Sequence, residues 1–161
     1  MYIPRYFTLP EVLPEQFYTE NKRYGNTLWR MFDDRILRAA DILREMYGPI
    51  IINTWHSLEL IRKYGKHQFR GWRPIDCKCG SYLSDHKFGR ALDLVPLKTT
   101  AKKIRQDIKE LPCEPFSMEQ TRLYFYITCI EDDVSWLHIS CRNHDKIKYG
   151  LQVLCYKPML I

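Results

Sequence analysis

Ser84-Asp85-His86-Lys87-Phe88-Gly89-Arg90-Ala91-Leu92-Asp93 sets an imidazole and a carboxylate six residues apart with a glycine between them. Gly89 permits a tight backbone turn, so a histidine on the loop and an aspartate on the next element can converge on one point. The following run, Arg90 to Pro96, reads as the strand that carries Asp93. A third nitrogen ligand could come from His138, in the β-rich run Ser135-Trp-Leu-His-Ile-Ser-Cys141. Two imidazoles and one carboxylate leave the fourth tetrahedral position open to water, which is expected of a catalytic rather than a structural zinc. Mn²⁺ or Co²⁺ could occupy the same donors. Taken singly, each of the three reads as an ordinary polar residue; the set with its flanks supports the metal reading.

Working outward, Leu28, Met31, Phe32, Ile36, Leu37, Ala40, Leu43 and Met46 recur at three- and four-residue steps, which predicts an amphipathic helix from about Thr27 to Tyr47. Gly48-Pro49 ends it, and Pro49-Ile-Ile-Ile-Asn-Thr-Trp55 reads as a short buried strand. Residues 56 to 82 read as one long irregular connection, a length that in compact domains usually marks function. A helix is predicted over Thr99 to Leu111, capped by Thr99 or Thr100 and stopped before Pro112. Arg122 to Ile130 and Ser135 to Cys141 read as two strands joined by the acidic turn Glu131-Asp132-Asp133. The order predicts an α+β fold: a small antiparallel sheet with flanking helices. Residues 1 to 24, with three prolines and several aromatics but no sustained period, read as an irregular N-terminal arm packed on a single domain spanning 25 to 161.

The chain has 161 residues, 45% of them hydrophobic, enough for one core and few for two. Its net charge of +6 suits an anionic partner. The basic residues are scattered, with loose clusters at Lys63 to Arg73 and Lys98 to Arg105, and no nucleic-acid-binding motif is present. No run is long enough for a membrane span. Met1 to Glu11 carries prolines and charges where a signal peptide would be apolar, so synthesis in a cytoplasm is expected. Of six cysteines, Cys77 and Cys79 form C-x-C rather than a zinc-knuckle spacing, and reduced thiols are the expectation. Cys129 and Cys141 could bridge neighbouring strands.

Gly71-Trp72-Arg73, then Ser84-x-His86-x-x-Gly89-x-Ala91-x-Asp93-Leu94, then Trp136-x-His138 together resemble the M15 zinc metallopeptidases. That group includes D-alanyl-D-alanine carboxypeptidases and dipeptidases, phage endolysins and the hedgehog signalling domain. The likeness spreads over about residues 25 to 142 and is to the phage-borne and prophage-borne branch. It implies a hedgehog/DD-peptidase-like fold, one Zn²⁺ held by His86, Asp93 and His138, Arg73 reaching toward a substrate carboxylate, and Ser84 helping to hold the substrate. Trp136 alternates onto the face of His138 and would either floor the site or pack as plain core.

One position departs from the pattern. Many relatives place a catalytic glutamate three residues before the final histidine, where this chain has Ser135. A metal-bound water needs a nearby carboxylate to take its proton. Glu131 is the favoured substitute, since it reaches furthest and lies an even number of residues from the usual position; Asp132 and Asp133 are alternatives. The function implied is hydrolysis of an amide bond in a peptidoglycan stem peptide by a monomeric, phage-associated enzyme, acting on the wall after release or from the virion. The alternative is a zinc-binding virion or wall-binding module without turnover, possible because Ser135 is not a base.

Overall fold

The computed structural model describes residues 1–111 and 117–155, with the side chain of Glu119 excluded. Pro112, Cys113 and the end of the domain expected to reach 161 lie outside the described residues. The chain forms helices α1 (Leu9–Val12), α2 (Glu15–Asn21), α3 (Asp34–Tyr47), α4 (Leu58–Tyr64), α5 (Ala101–Glu110), α6 (Met118–Tyr126) and α7 (Lys146–Tyr149). Five strands, β1 (Ile50–Ile51), β2 (Ala91–Pro96), β3 (Cys129–Asp132), β4 (Leu137–Ser140) and β5 (Gln152–Cys155), make one sheet in the order β1-β2-β4-β3-β5. The fold is α+β. The sheet is not wholly antiparallel as expected, because β5 pairs in parallel with β3. No described helix is long and apolar enough to cross a membrane.

Period-two alternation gives the sheet two different faces. Leu92, Leu94, Ile130, Leu137 and Ile139 point into the core. There they meet Ile36, Leu37, Ala40 and Leu43 of α3, Ile104 and Ile108 of α5 and Leu123 of α6. Each large side chain so buried stabilises the fold by about 1.5–3 kcal/mol. The intervening residues, Asp93 and His138, are thereby sent to the opposite face, where both are still buried.

Several local readings are corrected. The first helix begins at Asp34, not Thr27, because Asp33 caps it by accepting from the Arg35 N–H at 3.0 Å. Lys22–Met31 is a 3₁₀ segment interrupted at Gly25, and its three-residue turn imitates the amphipathic step. The N-terminal arm contains α1 and α2 rather than being irregular. Thr8 and Glu11 make a capping box in which the Thr8 N–H donates to the Glu11 carboxylate at 2.7 Å. The arm is tied down by buried Asp41, which accepts from the Tyr2 hydroxyl at 2.7 Å and the Arg5 N–H at 2.8 Å, while Phe7, Val12 and Leu13 enter the core.

Only Ile50 and Ile51 of the predicted 49–55 strand pair with β2. Asn53 and Thr54 instead donate to Glu11 and His67 carbonyls. The 56–82 connection contains α4, which buries no residue and leaves Leu58 73% exposed, so no apolar stripe betrays it. Arg122 to Tyr126 is helical despite its aromatics, since Ser117 caps α6 by accepting from Gln120 N–H and Leu123 reaches the core.

The Cys129–Cys141 bridge does not form; both are free thiols. Cys129 lies directly across from Ser140, so Cys141, one residue on, faces the other side of the sheet. Burial pushes the Cys129 thiol up to about 11 and that of Cys141 to about 12, which suppresses the reactive thiolate. Iodoacetamide at neutral pH is therefore expected to alkylate exposed Cys79 and Cys155 and to reach Cys129 and Cys141 only after unfolding. Mass mapping that finds either buried thiol labelled in folded protein would contradict this packing.

Candidate metal centre

Asp93 of β2 and His138 of β4 are directly paired across the ladder, so their side chains share one face. His86 arrives from outside the sheet, on a 3₁₀ turn spanning Asp85–Phe88. Gly89 closes that turn in the left-handed region, φ +64°, and a Cβ there would lie 1.9 Å from the Met31 carbonyl oxygen. Only glycine satisfies both demands. The three residues are all buried, and one potential ligand atom from each lies within 4.8 Å of the others, so the group could hold a metal ion.

The hydrogen-bonding pattern shows which nitrogen of His86 is free to face a metal ion. His86 Nδ1 lies 2.7 Å from the Gly71 carbonyl, which can only accept. That nitrogen therefore carries the hydrogen, and Nε2 presents its lone pair. Gly71 is held by the backbone of α1, where Trp72 N–H donates to the Val12 carbonyl at 2.8 Å, and a Cβ on Gly71 would come within 2.1 Å of that oxygen. His86 Nε2 stands 3.3 Å from Asp93 Oδ1, and His138 Nδ1 lies 2.7 Å from the same oxygen. Asp93 Oδ2 accepts from Arg73 Nη2 at 2.8 Å. Burial alone would push the Asp93 carboxyl up, but the two imidazoles outweigh it and hold the group well below the usual carboxylate range.

These donors fit a divalent cation. Metal–nitrogen bonds of ~2.0–2.1 Å in a tetrahedron put ligand atoms ~3.3 Å apart, the scale of the His86–Asp93 spacing. Among the described residues, two buried side-chain polar atoms have no hydrogen-bond partner: His86 Nε2 and Trp136 Nε1. An unpaired buried polar atom costs about 1–3 kcal/mol. Both belong to residues that line one cleft, and a cation among the three side chains would give His86 Nε2 a partner.

That cleft, about 570 Å³, is lined by the three ligand residues together with Arg73, Ser84, Glu131 and Trp136. Every residue expected to touch metal or substrate is thus gathered there. Continuing the β3–β4 register from Ile130 opposite Ile139 sets Glu131 opposite His138. The two acidic alternatives lie elsewhere. Asp132 accepts from Lys109 Nζ at 2.6 Å, stands 3.6 Å from Arg105 Nε, and lines a separate basic cleft. Asp133 is exposed at the hairpin turn, with φ +62°. Ser135 is exposed as well.

Two features escape the sequence reading. Arg73, expected to reach toward a substrate carboxylate, has its fork turned onto Asp93 and its Nε donating to the Phe69 carbonyl at 2.6 Å. Asp85, inside the quoted motif, accepts from Ser140 Oγ at 2.9 Å and Arg142 Nε at 2.8 Å, fastening the His86 turn to the end of β4. Its position beside His86 was the only available signal. Comparison of the chain with known protein families, curated proteins and solved structures finds no match.

Proposed function

We propose that this protein is a zinc-dependent peptidase that hydrolyses an amide bond in peptidoglycan stem peptides, in the manner of the metallopeptidases its motifs resemble. The observation that supports this most is the buried His86, Asp93 and His138 group at the base of a cleft whose wall also carries a carboxylate, Glu131, that is not part of the group. When bound there, zinc would supply Lewis-acid polarisation of the scissile carbonyl and lower the pKa of the attacking water.

The remaining work belongs to the chain. Glu131 takes the proton released by the water and passes it to the leaving amine. Asp93 stays ionised between the two imidazoles, and Arg73 fixes its orientation. Ser84 offers a hydrogen bond to the substrate backbone, and Trp136 lines the cleft beside it. The formal charge of +6 favours encounter with an anionic wall.

The test is digestion of purified cell wall by protein of measured metal content. Release of peptide fragments that a chelator abolishes and added zinc restores is expected. Stoichiometric zinc with no release would replace this reading with that of a wall-binding or virion module, the role open to a chain with Ser135 at the usual glutamate position.

A further inference from the structure

Since Arg73 is engaged by Asp93, the cation that would meet a substrate carboxylate has to be sought elsewhere. Arg70 is the residue whose surroundings ask for one. Its backbone is fixed on both sides: its N–H donates to Asn53 Oδ1 at 3.1 Å, and its carbonyl accepts from the Asp93 N–H at 2.7 Å. Its guanidinium is half-buried, yet makes one long hydrogen bond, Nη1 to the Ile52 carbonyl at 3.4 Å. Arg35, Arg73, Arg105 and Arg142, by contrast, each hold a carboxylate. Among the described residues no carboxylate pairs with Arg70. Burial draws its pKa below the ordinary value, with the Asp93 charge opposing.

Arg70 lines a second cleft, about 470 Å³, with Lys66 and Phe69; Arg73, Asp93 and Trp136 belong to both this cleft and the metal cleft. Lys66 is already paired with Glu15 at 2.5 Å. A partly desolvated five-donor fork beside the His86, Asp93 and His138 group, with one long hydrogen bond within the protein, is suited to a planar anion.

We propose that Arg70 binds a carboxylate of the substrate in this side branch, fixing which part of the peptide lies on the Lys66–Phe69 side of the metal. This rests on the peptidase reading and deepens it. The carboxylate has two sources in a stem peptide: a chain terminus, which would make the enzyme a carboxypeptidase, or the free α-carboxylate of a γ-linked D-glutamate, which would make it an endopeptidase.

Calorimetric titration of the metal-free protein separates them without any turnover. One probe pair is N-acetyl-D-alanyl-D-alanine and its C-terminal amide. The other is an N-acetyl-L-alanyl-γ-D-glutamyl-L-lysine amide with the glutamate carboxylate free or amidated. In one pair the acid is expected to bind the parent protein about tenfold more tightly than the amide, and the difference to vanish in Arg70→Gln. Arg70→Lys, which keeps the charge without the fork, is expected to retain a reduced preference and serves if Arg70→Gln does not fold. Equal binding of acid and amide in both pairs, or a preference that survives Arg70→Gln, overturns the assignment. A charge preference lost in Arg70→Gln by a protein that never hydrolyses wall leaves Arg70 as the carboxylate site and sinks only the peptidase.

Discussion

Zinc is expected to bind the Asp93→Ala protein at least about 100-fold more weakly than the parent chain, and the same substitution is expected to destabilise the fold by about 3–5 kcal/mol. Both effects come from one carboxylate. Its Oδ1 lies between His86 Nε2 at 3.3 Å and His138 Nδ1 at 2.7 Å, and its Oδ2 holds the guanidinium of Arg73, whose side chain is 13% exposed. Deleting it removes the charged ligand and leaves an uncompensated cation almost out of water. Asp93→Asn separates the two losses: its amide oxygen can still accept from Arg73, so most of the stability should return while zinc affinity stays low. Competition against a chromogenic chelator measures the first effect and denaturant melts the second. Unaltered zinc affinity in Asp93→Ala would show that the buried trio is not the metal site.

The second large effect is expected at Glu131. Glu131→Gln should slow wall digestion by about 10²–10⁴-fold, the usual worth of a positioned general base, with zinc content unchanged because the residue is outside the ligand group. Asp132→Asn and Asp133→Asn should remain within about twofold of the parent in turnover. Asp132 is committed to Lys109 and Arg105 on another surface, and Asp133 sits at the exposed turn. Loss of activity in Asp132→Asn with Glu131→Gln intact would move the base to the other side of the strand.

Arg105 explains why the acidic hairpin divides this way. Its guanidinium donates to the Trp136 carbonyl at 2.7 Å and the Val134 carbonyl at 3.0 Å and lies near Asp132. It thus clamps the turn to α5 and holds one carboxylate away from the cleft. The next carboxylate back, Glu131, falls on the metal face by strand alternation. That outcome was partly legible beforehand, because the parity argument needs only a regular strand. What could not be read was that α5 would supply the cations competing for Asp132.

The sequence by itself determined the elements whose causes lie within a few residues of one another. The strand holding Asp93, the helix after it with its cap at Thr99 or Thr100, the hairpin strand holding His138 and the turn at Gly89 all follow from period, capping and glycine chemistry. The meeting of His138 with His86 and Asp93 was an expectation in the sequence, and the β2–β4 pairing brings it about. The tertiary structure alone decided the rest: that Arg73 serves Asp93, that Arg70 faces no carboxylate of the described residues beside the candidate metal site, and that the Gly71 carbonyl sets the tautomer of His86. It also decided that 118–126 is helix and that β5 adds a parallel edge. Each depends on contacts between residues far apart in the chain, such as Gly71 with Val12, Arg73 with Asp93 or β5 with β3. Local propensity carries no record of which distant partner will satisfy a buried donor, and that choice is made only when the core closes.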